Sequence, residues 1–135
     1  MLDFLLPPIL AAALALPCSA MAQSPMTGEE FDAYVTGHTF TYAEGGTVYG
    51  IEEYHPNRRV RWKFLGGQCS EGFWYERDNH ICFLYEDYPT PQCWTFTEQA
   101  GRLTARFENG GDELELYEIE RSDRPLTCPG PEVGV

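Results

Sequence analysis

From Arg59 to Leu65 the side chains alternate: Val60, Trp62 and Phe64 fall on one face, Arg59, Arg61 and Lys63 on the other. A period of two marks a strand with one buried face. Similar runs, rich in aromatic and β-branched residues, occupy 39–42, 47–54, 68–75, 81–86, 92–97, 102–108 and 113–119. With 59–65 they make eight predicted strands. Turn residues separate them. Glu44-Gly45-Gly46 and Gly66-Gly67 break the pattern, and Pro56 suits the second position of a type I turn over 55–58. Asn109-Gly110-Gly111-Asp112 is the strongest hairpin signal. It sets Phe107 opposite Leu114 and Ala105 opposite Leu116 inside, and Arg106 opposite Glu115 outside. The last run changes phase, with Leu114 and Leu116 facing one way and Tyr117 and Ile119 the other. A bulge near Leu116 is expected to reconcile them.

One segment keeps a helical period instead. Thr27-Gly28-Glu29-Glu30 fits a capping box, and Phe31, Tyr34 and Val35 then share a face before Gly37 stops the run. The spacing predicts a short helix over 28–36, lying across one end of the sheet. Eight sequential strands favour a mainly β fold: a small antiparallel up-and-down barrel or strongly curled meander, whose closure removes exposed edges. At this size the interior is either filled by side chains or holds one small ligand. The organisation reads as a leader at 1–22, a helical N-terminal segment at 23–38, the β domain at 39–121 and an irregular tail at 122–135.

The leader changes the picture of where the chain works. Its apolar run at 9–16 is shorter than the roughly 20 residues a membrane span requires. It ends at Ala20-Met21-Ala22, a small-x-small site for signal peptidase, so cleavage is expected after Ala22 and the protein is expected in the periplasm or secreted. The positive start of a typical signal peptide is missing. Asp3 is the sole charged side chain in this segment, so the chain beyond it carries 20 acidic and nine basic residues, formally −11. Such a surface repels phosphate backbones and anionic membranes, which argues against nucleic acid as a partner. It keeps a secreted domain soluble and permits a cationic protein partner. No second apolar stretch offers a membrane span.

Four cysteines follow the leader: Cys69, Cys82, Cys93 and Cys128. They admit three pairings. A turn at 87–90 puts Cys82 opposite Cys93 and Ile81 opposite Trp94. A turn near 77–79 puts Phe73 opposite Cys82 and leaves Cys69 more than 13 Å along the strand, too far for a disulfide. Register therefore selects Cys82–Cys93 and leaves Cys69–Cys128 to pin the tail. No C-x-x-C motif is present, and no metal or cofactor is expected.

Candidate chemistry is sparse. His38, His55 and His80 are the histidines. His55 with Glu53, or His80 with Glu86 or Asp87, would form an acid–base pair for a small hydrolase. Glu52, Glu53, Glu86 and Asp87 offer carboxylate pairs of the kind that cleave sugars, although Glu52 reads more simply as a cross-strand partner of Arg61. Ser70 lacks a nucleophile motif. The densest aromatic stretch runs from Gly67 to Trp94. It suits core packing around the cysteines, or an aromatic-lined binding site with Tyr54, Tyr75 and Tyr88 as its exposed members.

The pattern G-x-C-x-E-G-x-W-Y at 67–75, C-F-x-Y-E-D at 82–87 and C-W at 93–94 resembles small secreted β domains of Gram-negative bacteria that have no assigned activity. The resemblance covers 67–94 closely and 37–120 in outline. It implies a similar fold and transfers no catalytic residue. The expected function is a non-enzymatic secreted binding or interaction module for a protein or small ligand. Three alternatives stay open: a lipocalin-like carrier, which requires a hollow barrel; a lysozyme-inhibitor-like protein; and a small hydrolase using a carboxylate with His55 or His80.

Overall fold

Eight antiparallel strands close into a barrel in strict chain order, the last pairing with the first. The computed structural model describes residues 12–18 and 23–129. The leader cleavage expected after Ala22 lies outside them. The strands are β1 (Thr39–Glu44), β2 (Thr47–Tyr54), β3 (Arg59–Phe64), β4 (Cys69–Arg77), β5 (His80–Tyr85), β6 (Tyr88–Gln99), β7 (Arg102–Phe107) and β8 (Glu115–Ser122). One helix, α1 (Gly28–Val35), precedes them.

Each expected strand is present, and the helix starts where its cap predicts. The backbone N–H of Glu30 donates to Thr27 Oγ1 at 3.2 Å, satisfying one of the donors that a helix start leaves open. Phe31 and Val35 are then driven into one end of the barrel. The Phe31 ring lies 4.5 Å from Phe96, 5.0 Å from Trp74 and 5.6 Å from Tyr54, centroid to centroid. The helix therefore plugs this end. Around the plug, Phe40, Val60, Ile81 and Leu103 complete a filled apolar layer. The turns β2–β3, β4–β5 and β6–β7 lie at this closed end; those joining β1–β2, β3–β4, β5–β6 and β7–β8 ring the other.

Both expected disulfides are formed, Cys69–Cys128 and Cys82–Cys93. Cys82 faces Cys93 and Ile81 faces Trp94 across β5 and β6. The tail acts as a strap over the outer wall. The backbone carbonyl of Arg124 accepts from Thr39 Oγ1 at 2.8 Å, the N–H of Leu126 donates to Glu53, and the carbonyl of Thr127 accepts from Lys63 Nζ at 3.1 Å. Cys128 then reaches Cys69, so the tail crosses β1 to β4 in order.

Three details of register differ from the sequence expectation. The β4–β5 turn is a two-residue hairpin in which Asp78 and Asn79 both take positive φ. It sets Tyr75, not Phe73, opposite Cys82. The β2–β3 pairing is shifted by one residue from the expected register, with the same four residues, 55–58, between the strands. Tyr54 pairs with Val60, so Glu52 lies opposite Trp62 and not Arg61. Arg61 instead contacts Glu71 at 2.5 Å. Finally, β8 carries no bulge at Leu116. Leu116 and Glu118 alternate inward, while Tyr117 and Ile119 are 43% and 44% exposed. The irregularity is three residues later in the same strand, against β1, where Thr41 pairs with Glu120 and Tyr42 with Glu118, leaving Ile119 extra.

Candidate functional site: an aromatic cup with a buried carboxyl

The plug fills only half the barrel. The other half is a cavity of about 460 Å³ that opens between the β1–β2, β3–β4, β5–β6 and β7–β8 turns. Inward positions of successive strands build its wall. Tyr49 comes from β2, Trp62 and Phe64 from β3, Tyr85 from β5, Trp94 from β6 and Phe107 from β7, with Ala105, Leu114 and Leu116 completing the apolar side.

Two glycines give these rings their places. A Cβ at Gly50 would stand 2.2 Å from the Trp62 ring, and one at Gly72 would stand 2.5 Å from the carbonyl oxygen of Leu84 and 2.9 Å from the Tyr85 ring. Trp62 and Tyr85 thus lie over bare backbone, which only glycine permits. Tyr85 is thereby aimed at Glu52, to whose Oε1 its hydroxyl donates at 2.7 Å.

Glu52 sits at the floor of the cup and is 1% exposed. Burial pushes its carboxyl well above the usual carboxylate range; the Tyr85 hydrogen bond opposes this, and is the smaller effect. Its Oε2 has no hydrogen-bond partner among the described residues. Beside it the hydroxyls of Tyr42 and Tyr54 share a 2.8 Å hydrogen bond, and burial raises both of their pKa values well above that of a free tyrosine. Nearer the rim Ser70 donates its hydroxyl to Asp87. Glu52 and Asp87 are the carboxylates among the described lining residues, and no Lys, Arg or His is among them.

The three tyrosines singled out in the sequence separate. Tyr54 is not exposed: at 2% exposure it belongs to the floor, because the shifted β2–β3 register sets it inward opposite Val60. Tyr88 stands at the rim, 51% exposed. Tyr75 points away from the cup on β4, beside Phe73 on the outer wall. Of the carboxylates, Glu53 lies on the outer wall under Leu126 and Glu86 outside the cup, so the pairs proposed among the four reduce to Glu52 and Asp87. Neither candidate histidine lines the cup. His55 Nε2 meets Glu53 at 2.5 Å in the closed-end β2–β3 loop. His80 begins β5, at the opposite end of that strand from Glu86 and Asp87.

Trp62 and Tyr85 are not singled out by the sequence as site residues, and Glu52 is weighed there as a catalytic carboxylate or a partner of Arg61, not as the floor of a cup. A signal for Glu52 was present. Glu52 and Glu53 are consecutive in a strand of a closed barrel, so one of the two must face inward whichever register holds. Among the described residues no group of His, Cys, Asp and Glu is arranged to hold a metal ion, and no helix is long and apolar enough to cross a membrane. The chain matches no protein-family model, and neither the curated proteins nor the solved structures contain a match to it.

Proposed function

We propose that this chain is a non-enzymatic binding protein that carries one small, largely apolar ligand in the open half of its barrel. The supporting observation is the hollow itself: about 460 Å³ of space walled by aromatic rings over a single buried carboxyl. Binding sites for drug-sized molecules run from about 300 to 1,000 Å³ and combine apolar walls with a few placed polar groups. This cup has both properties. The helical plug leaves the rim as the route of entry, which suits uptake and release better than a through-channel. Two disulfides brace the wall and fit an oxidising compartment, in line with a secreted or periplasmic protein cleaved after Ala22.

Trp62 and Trp94 both face the cup, so tryptophan emission reports its occupancy. A neutral apolar probe, N-phenyl-1-naphthylamine, is expected to quench that emission saturably with one site per chain. Native mass spectrometry of the protein isolated gently from its own host is expected to retain a small molecule. A linear, non-saturable response together with a bare polypeptide mass would refute the carrier reading.

A further inference from the structure

Among the described lining residues, every group able to take a charge near neutral pH is a carboxyl. Two carboxyls, Glu52 and Asp87, line it, and no basic side chain joins them among the described residues. Glu52 Oε1 is engaged by Tyr85, while Oε2 is buried without a partner among the described residues. An unsatisfied buried polar atom costs about 1–3 kcal/mol, which a cationic donor that displaces the Glu52 proton would recover. Aromatic rings line the cup with it: Trp62 laid over Gly50, Tyr85 laid over Gly72, and Tyr49 with its ring centroid 5.8 Å from that of Trp62. A carboxylate flanked by aromatic faces is a recognition site for an organic cation.

The geometry points to a small organic ammonium ion with an apolar body as the ligand of this cup, its N–H groups donating to Glu52 and its body lying among Tyr49, Trp62, Tyr85 and Phe107. This inference rests on the carrier reading above. A fatty acid or other anionic amphiphile would meet two carboxyls and no compensating cation. A neutral hydrocarbon would fill the space and leave Oε2 unpartnered. An ammonium ion answers both, and the net charge of −12 draws cations toward the molecule.

A pH signature follows. The titratable groups close to Glu52 are Tyr85 from β5, Tyr42 from β1 and Tyr54 from β2, each held neutral by burial, with Asp87 further out at the rim. Burial likewise favours the protonated form of Glu52 in the empty cup. An ammonium ion reverses that preference, because it stabilises the carboxylate. Binding therefore releases a proton, and affinity rises with pH until Glu52 is ionised without help.

The test uses the full oxidised chain, 2-phenylethylamine as the cation, and 2-phenylethanol and 3-phenylpropionate as its neutral and anionic counterparts. Titration calorimetry in buffers of different ionisation enthalpy is expected to show one-to-one binding of the amine with proton release. The alcohol is expected to bind about tenfold or more weakly without proton release, and the acid to bind least. Glu52→Gln is expected to bring amine and alcohol to similar affinities while far-UV circular dichroism stays unchanged. Proton release by the wild-type protein decides the matter even where the variant folds poorly. Equal affinities for amine and alcohol in the wild type, or an amine preference that survives in Glu52→Gln, overturn this inference and leave the carrier reading standing. Failure of all three to bind overturns this inference, and a linear response to N-phenyl-1-naphthylamine with a bare polypeptide mass overturns the carrier reading with it.

Discussion

Glu52 is where sequence and structure part most sharply, and a one-residue shift of strand register is the cause. Pairing Tyr54 with Arg59 would set Glu52 beside Arg61 on the outer wall. The observed loop bends through Asn57 and Arg58, both at positive φ, and pairs Tyr54 with Val60. A slip of one residue moves every side chain of a strand to the other face. It takes Glu52 from solvent to the interior and Tyr54 with it. The consequence is measurable. In the unfolded chain Glu52 titrates near the ordinary value of about 4.3; in the folded chain burial holds its proton to higher pH. Below the unfolded value both states are protonated and nothing is lost. Above it the unfolded chain releases a proton that the folded chain retains, so stability falls until the folded group also ionises. Glu52→Gln removes this slope. Thermal melts of variant and wild type are expected to differ least near about pH 4 and to separate as pH rises, with the variant the more stable at about pH 8. A constant difference across the range would contradict the assignment. Gly72 gives a second check at this scale. A Cβ there meets the Leu84 carbonyl, which is backbone and cannot swing aside. Gly72→Ala is expected to cost about 1–3 kcal/mol in denaturant unfolding and to displace Tyr85 from Glu52.

At the scale of elements the sequence was far more legible, since each element announces itself locally. The capping box at Thr27, the alternation of β3 and the turn at 109–112 required only neighbouring residues to interpret, and the disulfides followed from strand register. What resisted was the register across individual turns. The two-residue Asp78-Asn79 turn shifted Tyr75 into the place expected for Phe73, while the disulfide assignment survived because Cys69 remained still further away. Two elements have roles that alternation alone does not show. The first is the plug. Phe31 is fully buried among four aromatic rings, so Phe31→Ala is expected to cost about 3–5 kcal/mol and to open the closed end. The second is the strap. Cys69–Cys128 closes a separation of 59 residues, worth about 4 kcal/mol in the chain-entropy model. Replacing both cysteines with serine should bring the unfolding midpoint in urea down accordingly. Limited proteolysis should then cut between Asp123 and Cys128, a stretch otherwise held by Leu126, Thr127 and Arg124. A tail that stays resistant would mean those hydrogen bonds hold the strap without the covalent link.

Across the whole molecule the decisive property is the division of the barrel into a filled half and a hollow half. Alternating apolar residues are required by either, so the pattern that revealed eight strands was silent about the space between them. The division comes from three-dimensional volumes: Phe31 entering from outside the sheet at one end, and Ala105, Gly50 and Gly72 standing at inward positions toward the other. Such space is a cost. Side chains lining an empty volume forgo the contacts they would make in a packed core, and natural interiors are otherwise close-packed. A hollow maintained for binding should therefore be improvable as a fold at the expense of its occupant. Ala105 is the position to test, because it is buried, lies opposite Leu116 and borders the cup. Ala105→Leu would place three additional carbons in the void, and its expected effect is a gain of about 1–2 kcal/mol in unfolding free energy. The same change should reduce saturable quenching by N-phenyl-1-naphthylamine. Lower stability with strained packing would mean that the space beside Ala105 is already filled, and that the cup is smaller than its outline. Higher stability with undiminished binding would place the ligand elsewhere on the molecule. Stability rising while binding falls would tie the empty volume to the occupant, and the two measurements on one variant separate these three cases.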